Sequence, residues 1–316
     1  MSREIFERLY NEFNIRLEHK EFESALSLVD DLLESAQNNE LDIFYTLMGK
    51  ASALTNLNRD EEVIFSYDEI IFRYKDSSNL TISRFLAYAY YNKALIYTKL
   101  KDTPKELEVY DALLEKFITD TSLDLEIVLV KAYINKAICI NELHGSDEAL
   151  VIYKELVKNF EHSENEQVLE QVATAAYNIA LIYGKNYKNE DAIKAYEYVI
   201  DTFEESKNEN IIELVAKSLI NKASRLKDLL KNKKAIESYD EVVTKYENYS
   251  GKVLNQVAIA LHNKSILLSQ LHDEKGLLKV CDYIIKKFSN SHDEMILDIV
   301  SSAQVVKDKE KYNSSF

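Results

Sequence analysis

Catalysis needs reactive side chains held together, and metal binding needs donors at fixed spacing. This chain offers little of either. Its six histidines, His19, His144, His162, His262, His272 and His292, are scattered, and none has the His-Glu-x-x-His spacing that puts two imidazoles on one helix face. The five glycines, at 49, 145, 184, 251 and 276, never gather into a loop that could cradle a phosphate with backbone N–H groups. Carboxylates are abundant, but they pattern as solvated helix faces, with no pair set apart for proton transfer. The two cysteines, Cys139 and Cys281, lie far apart, in slots that other segments fill with apolar residues or tyrosine. They read as small core hydrophobes rather than as a disulfide or a metal pair. The expectation is a protein that is not an enzyme and holds no cofactor and no metal.

What recurs instead is an amide. Asn92, Asn135, Asn178 and Asn221 follow one another at steps of 43, Asn263 comes after a further 42, and Gly49 occupies the same slot 43 residues before Asn92. A primary amide has both donors and an acceptor, so a row of them could read the backbone of an extended peptide whatever its side chains. The same row could equally bond to neighbouring helices and hold stacked segments in place. Tyr91, Ile134, Tyr177, Ile220 and His262 precede the asparagines, and Leu95, Ile138, Leu181, Ser224 and Ile266 follow one turn later. A mixed aromatic and aliphatic lining suits a partner's peptide or helix, but these residues would be core if the helix were covered on both sides. The candidate ligand-binding residues are therefore Asn92, Asn135, Asn178, Asn221, Asn263, Tyr91, Tyr177 and His262.

Lysine follows the asparagine at Lys93, Lys136, Lys222 and Lys264, and follows Gly49 at Lys50, whereas Ile179 takes this place after Asn178. Successive helical residues point about 100° apart, so the lysines cannot share the direction of the amides. Asp68, Asp111, Asp240 and Asp282 lie 18 residues after Lys50, Lys93, Lys222 and Lys264. This spacing predicts salt bridges within each unit, failing where Ile179 replaces the base or Lys154 the acid. Capture of acidic ligand groups by the lysines is the competing reading.

Self-similarity at a fixed period in the range of about 20–50 residues marks a stacked-repeat architecture. An aromatic ladder, Tyr67, Tyr110, Tyr153, Tyr196 and Tyr239, then Cys281, follows each marker, and Tyr74, Phe117, Phe160, Phe203, Tyr246 and Phe288 close the units. Between them, Ala149, Leu150, Tyr153, Leu156, Val157 and Phe160 trace one face of an amphipathic helix. Each unit reads as a long helix A carrying the Asn, a short turn, and a helix B ending at the aromatic. Turn signals fall at 101–104, 144–147 and 185–189, and Pro104 suits the first turn of a helix, where its missing N–H costs nothing. Ala51, Ala94, Ala137, Ala180 and Ala223, with Ser265, allow close helix approach.

The segment Ala89-Tyr90-Tyr91-Asn92-Lys93-Ala94-Leu95-Ile96-Tyr97 resembles helix A of the tetratricopeptide repeat family, and the Ala149 and Tyr153 pair resembles its helix B. The resemblance covers about residues 40–290 in six copies, and is nearest to long-period variants of bacterial type. The family unit is 34 residues, so about nine are added here, and the lysine slot is normally leucine. The resemblance implies an all-α, right-handed α-solenoid of antiparallel helix pairs. It also implies that Asn92, Asn135, Asn178, Asn221 and Asn263 line a concave face. The expected division is an N-terminal helix pair at 1–38, six repeats at 39–290, a capping helix at 291–308 and a flexible tail at 309–316. The implied function is a scaffold or adaptor that binds a peptide or helix of a partner protein on its concave face. The alternative is a peptide or small-ligand sensor that regulates a partner by changing the solenoid's shape.

Composition agrees with helix. Among 316 residues there is one proline, and 46% are hydrophobic, too apolar for a disordered chain. The formal net charge of −15 repels a phosphate backbone, so nucleic acid is disfavoured as a partner. The acidity fits simple solubility, or attraction of a basic patch on a protein or peptide. No apolar run approaches the ~18 residues of a membrane span, and the first residues lack a signal core. The expected location is the cytoplasm, without membrane contact; oligomeric state is left open.

Overall fold

The computed structural model describes residues 2–119 and 123–313, and the regular elements among them are all α-helices. The first three are α1 (Ser2–Glu18), α2 (Phe22–Leu26) and α3 (Val29–Ser35). They bury Phe6, Phe13, Ala25, Val29, Leu32 and Ala36 together. A single second helix was expected here. Instead it breaks at Ser27 and Leu28, where the Ser27 hydroxyl donates back to the Ser24 carbonyl at 2.7 Å, a local bond that competes with the helix ladder.

Six helix pairs follow. The A helices are α4 (Glu40–Asn56), α6 (Leu80–Leu100), α8 (Leu123–Leu143), α10 (Glu166–Lys185), α12 (Glu209–Asp228) and α14 (Gly251–Gln270). The B helices are α5 (Asp60–Tyr74), α7 (Thr103–Phe117), α9 (Ser146–Phe160), α11 (Asn189–Phe203), α13 (Asn232–Tyr246) and α15 (Glu274–Phe288). Every B helix has 15 residues. From α6 onward the A helices have 20 or 21. Connections are short, with only Lys101 and Asp102 between α6 and α7, so the long period is taken up by helix rather than loop. A final helix, α16 (Glu294–Asn313), continues past residue 308, the expected end of the capping helix. Residues 314–316 of the expected tail lie outside the described residues.

The chain forms two compact units, residues 1–152 and 153–316, divided within α9. In the first, α4 to α8 pack in succession; in the second, α10 to α16 do so, and alternate A helices also touch, α10 with α12 and α12 with α14. Both units are stacks of antiparallel helix pairs. Close approach rests on small residues: Ala51, Ala94, Ala137, Ala180, Ala223, Ala149, Ala192 and Ala235 are all fully buried. The aromatic ladder and the closing aromatics fill the space around them, and all are buried, as are both free cysteines. On α16, Ile296, Ile299 and Ala303 are buried, while Met295 is exposed. No described helix is long and apolar enough to cross a membrane.

Both kinds of turn have a recurring chemistry. Each A-to-B turn places one residue in the left-handed region: Asn58, Lys101, Gly145, Tyr187, Leu230 and His272. A side chain there costs roughly 1–2 kcal/mol. Leu230 has φ 58° and is 83% exposed, so it gains little packing in return. Leu230→Gly, matching Gly145, should therefore raise stability by about 0.5–1 kcal/mol after the entropic cost of glycine. A higher urea midpoint with an unchanged slope is the check.

Four of the described B-to-A turns and connections into A helices use an asparagine cap. Asn39, Asn79, Asn165 and Asn208 accept two backbone N–H bonds at the starts of α4, α6, α10 and α12. Ser77, Ser163 and Ser206 each accept the N–H of the Asn two residues on, at 3.1–3.2 Å. Such caps contribute about 1 kcal/mol each. α14 departs from this, since Ser250 makes no side-chain cap bond.

Candidate functional site

The amide ladder and the tyrosine ladder meet. Asn135 Nδ2 on α8 donates to Tyr110 Oη on α7 at 2.8 Å and lies 3.4 Å from Tyr91 Oη on α6. One repeat pair further on, Asn221 Nδ2 on α12 donates to Tyr177 Oη on α10 at 2.8 Å and is also hydrogen-bonded with Tyr196 on α11. Tyr67 is bonded with Asn92, and Tyr153 with Asn178. Each of these four amides therefore bridges back to the preceding repeat, in two cases reaching both its helices. Burial raises the pKa of all five ladder tyrosines, and Tyr239 reaches about 12. Their hydroxyls stay neutral, and that of Tyr110 accepts from Asn135.

The ladder has two irregular ends. Asn263 has no hydrogen-bond partner among the described residues. At the other end, a Cβ on Gly49 would lie 2.5 Å from the Phe13 ring. Phe13 of α1 thus occupies the space an asparagine side chain takes in later repeats, which is why only glycine fits there.

The lysine ladder corrects the sequence reading. The acids were expected to pair with the lysine 18 residues earlier, within a unit. They pair instead with the lysine of the next unit: Lys93 with Asp68 at 2.6 Å, Lys136 with Asp111 at 2.8 Å, and Lys264 with Asp240. Lys222 lies 3.9 Å from Glu197, and Lys307 on α16 reaches Asp282. On α6, α8 and α12 the lysine and asparagine both face the B helix before them, so both bonds run between repeats. The two failures expected at Ile179 and Lys154 are one event, because these residues occupy the same step. Exposed pairs of this kind contribute ~0–1 kcal/mol each, so they set register more than stability.

Next to each amide, Leu95, Ile138, Leu181 and Ile266 are 38%, 47%, 40% and 40% exposed. A lone exposed leucine needs no explanation; the same apolar slot open on four A helices does. Leu181 borders a groove of about 190 Å³ lined also by Gly184, Lys185, Tyr196, Asn221 and Arg225. His262, whose pKa burial lowers, lines a separate groove of about 360 Å³ between α14 and α16, with Ser265, Ile266 and Ala303. The structure thus brings Tyr91 to Asn135 and Tyr177 to Asn221, while His262 stands apart from both sets. Among the described residues no cluster of His, Cys, Asp or Glu could hold a metal ion.

Sequence reasoning passed over a second set of asparagines, the helix caps Asn39, Asn79, Asn165 and Asn208. The repeated Ser-x-Asn spacing was the available signal. It also passed over Glu106, buried at 5% exposure on α7, which accepts from Thr98 Oγ1 at 2.7 Å.

No protein-family model and no curated protein matches the sequence. Solved structures do match by shape. The apo form of RapI is 15% identical, with 98% of this chain and 87% of that one aligned at a TM-score of 0.56. A signal-transduction ATPase with numerous domains and a tetratricopeptide repeat sensor, from Pyrococcus horikoshii, is also 15% identical; the alignment covers 98% of this chain and 46% of that one, with a TM-score of 0.52. The fold is thus similar to that of solved tetratricopeptide-type helical repeats.

Proposed function

We propose that the protein is a non-catalytic adaptor that binds a peptide or helix of a partner protein across the exposed face of its A helices. The observation that carries this reading is the apolar slot left open at Leu95 and Ile138 in the first unit and, on either side of Ser224, at Leu181 and Ile266 in the second. Isolated exposed apolar groups carry no message, but the same slot recurring within each unit beside polar groups is what a partner's apolar side chains require. The asparagines beside the row contribute in a shared role. Asn135 and Asn221 spend their N–H groups on tyrosines of the preceding repeat, and the amide oxygen remains to accept from a peptide backbone.

Asparagine substitutions would disturb bonds between repeats as well as any ligand, so the apolar row gives the cleaner test. Leu181→Ser combined with Ile266→Ser should leave melting and circular dichroism within about 0.5 kcal/mol of wild type. Crosslinked capture of partner protein should fall by about tenfold or more, as expected when anchor side chains lose their seats. Equal capture by the variant and the wild type would sink the reading.

A further inference from the structure

At one step the lysine ladder is inverted, and a groove opens there. α9 carries Lys154 where its neighbours carry Asp111 and Glu197, and Lys158 where they carry Glu115 and Asp201. On α11, Lys194 stands where α7 and α13 carry Glu108 and Glu237. The facing residue on α10 is Ile179, in the one A-helix slot after an Asn that lacks a lysine. Elsewhere the ladder acid meets a base, but Lys154, Lys158 and Lys194 make no ion pair among the described residues. Lys154 Nζ sits 5.3 Å from the centre of the Tyr183 ring instead.

These residues surround a cavity of about 410 Å³ between α9 and α11, floored by α10 through Ala176, Ile179 and Tyr183. Of the two carboxylates on its rim, Glu161 already accepts a hydrogen bond from Tyr198 Oη at 2.5 Å, which leaves Asp191. The result is an apolar floor under three unpaired cations, in a chain whose formal net charge is −15. A bare excess of lysine would repel itself; here it sits where the fold otherwise places acids and where a complementary anion can supply the missing half of the ladder.

We propose that this groove, on the helix B side and distinct from the A-helix row, docks an acidic segment of a protein partner. An apolar side chain of the segment seats on Ile179 and Tyr183, and flanking carboxylates meet Lys154, Lys158 and Lys194. The volume accommodates one such side chain with its neighbours, and an open groove between two helices lets a peptide lie across it.

Fluorescence anisotropy with a short labelled peptide, glutamates around a central leucine, tests this directly. The peptide should bind at about 0.05 M salt and weaken markedly at about 0.5 M, since exposed charge pairs are screened. A twin with glutamine for glutamate should bind about tenfold more weakly, or worse. The double substitution Lys154→Asp with Ile179→Lys rebuilds the pair found at other steps and should abolish binding while circular dichroism is unchanged. Lys158→Glu, on an exposed site where α7 has Glu115, gives the same reading if the double variant misfolds. Leu181→Ser should bind normally, which separates this groove from the A-helix row. Three results would overturn the proposal: equal binding of the glutamine twin, wild-type binding by the charge variants, or no binding of the glutamate peptide at low salt. Self-association abolished by Lys158→Glu would also overturn it, by assigning the groove to a second copy of the chain.

Discussion

Raising the pH through the tyrosine range should unfold the protein in one cooperative step, with loss of helix coinciding with the appearance of tyrosinate absorbance. Burial is the leading cause of the raised pKa at Tyr67, Tyr110, Tyr153, Tyr196 and Tyr239, and at the closing residues Tyr74 and Tyr246. Tyr239 and Tyr246 reach about 12. Hydrogen bonds with asparagine work in the other direction at Tyr67, Tyr110, Tyr153 and Tyr196, but rank below burial. A group whose folded pKa exceeds its unfolded value stabilises fully below the unfolded pKa, near 10 for tyrosine. That stability is lost as pH rises toward the folded value, so the sensitive window runs from about pH 10 to about pH 12. Each buried tyrosine contributes a slope of about 1.4 kcal/mol per pH unit there. Several acting together exhaust a typical stability of 5–15 kcal/mol within roughly one to two units. Tyrosinate absorbance rising to completion while the helical signal persists would show that the ladder is more accessible than its burial implies.

The second large effect is at Tyr110, whose side chain is fully buried. Tyr110→Ala should destabilise the protein by about 3–5 kcal/mol, the usual cost of deleting a buried aromatic ring. Tyr110→Phe keeps the ring and removes only the acceptor for Asn135 Nδ2, so it should cost about 0.5–1.5 kcal/mol. Pairing Tyr110→Phe with Asn135→Ala in a double-mutant cycle isolates the bond between repeats. If Tyr110→Phe cost as much as Tyr110→Ala, the hydroxyl rather than the ring would be holding α7 to α8. If neither cost more than ~1 kcal/mol, the ladder would not be part of a continuous core.

The helix pairs, their order and their inward faces were readable because spacing alone carries them. A 43-residue recurrence of Asn, Ala and Tyr needs no knowledge of which helix touches which. Bonding partners were harder to assign for a geometric reason. From Lys93, the acid Asp111 lies 18 residues ahead and Asp68 lies 25 behind. Both offsets are compatible with helix faces. Only the direction in which helix A turns decides between them, and that direction is a property of the stack. The same holds for Asn135, which could have faced a ligand and instead reaches Tyr110. Non-glycine residues in left-handed turns, such as Tyr187 and Leu230, leave no local signature, because neighbouring helices impose the conformation. The open apolar row was visible as a pattern but not as a surface, since leucine and isoleucine beside a helix marker are as often core as groove.

Because the polar bonds run from the B helix of one unit to the A helix of the next, each ordinary unit carries both halves of the connection. Its A helix brings the Asn and Lys; its B helix brings the Tyr and an acid. Units of this kind are interchangeable. One can be duplicated or lost in a gene without leaving a buried amide or a charge unmatched, which gives such an array an easy route to a new length. Lys154 and Ile179 are the exception, because the altered acid and the altered base belong to different units. Inserting an ordinary unit between them would set Lys154 against a lysine and Ile179 against an acid. These two neighbours can be inherited only as a couple, and that constraint gives an otherwise uniform array one fixed place in its order.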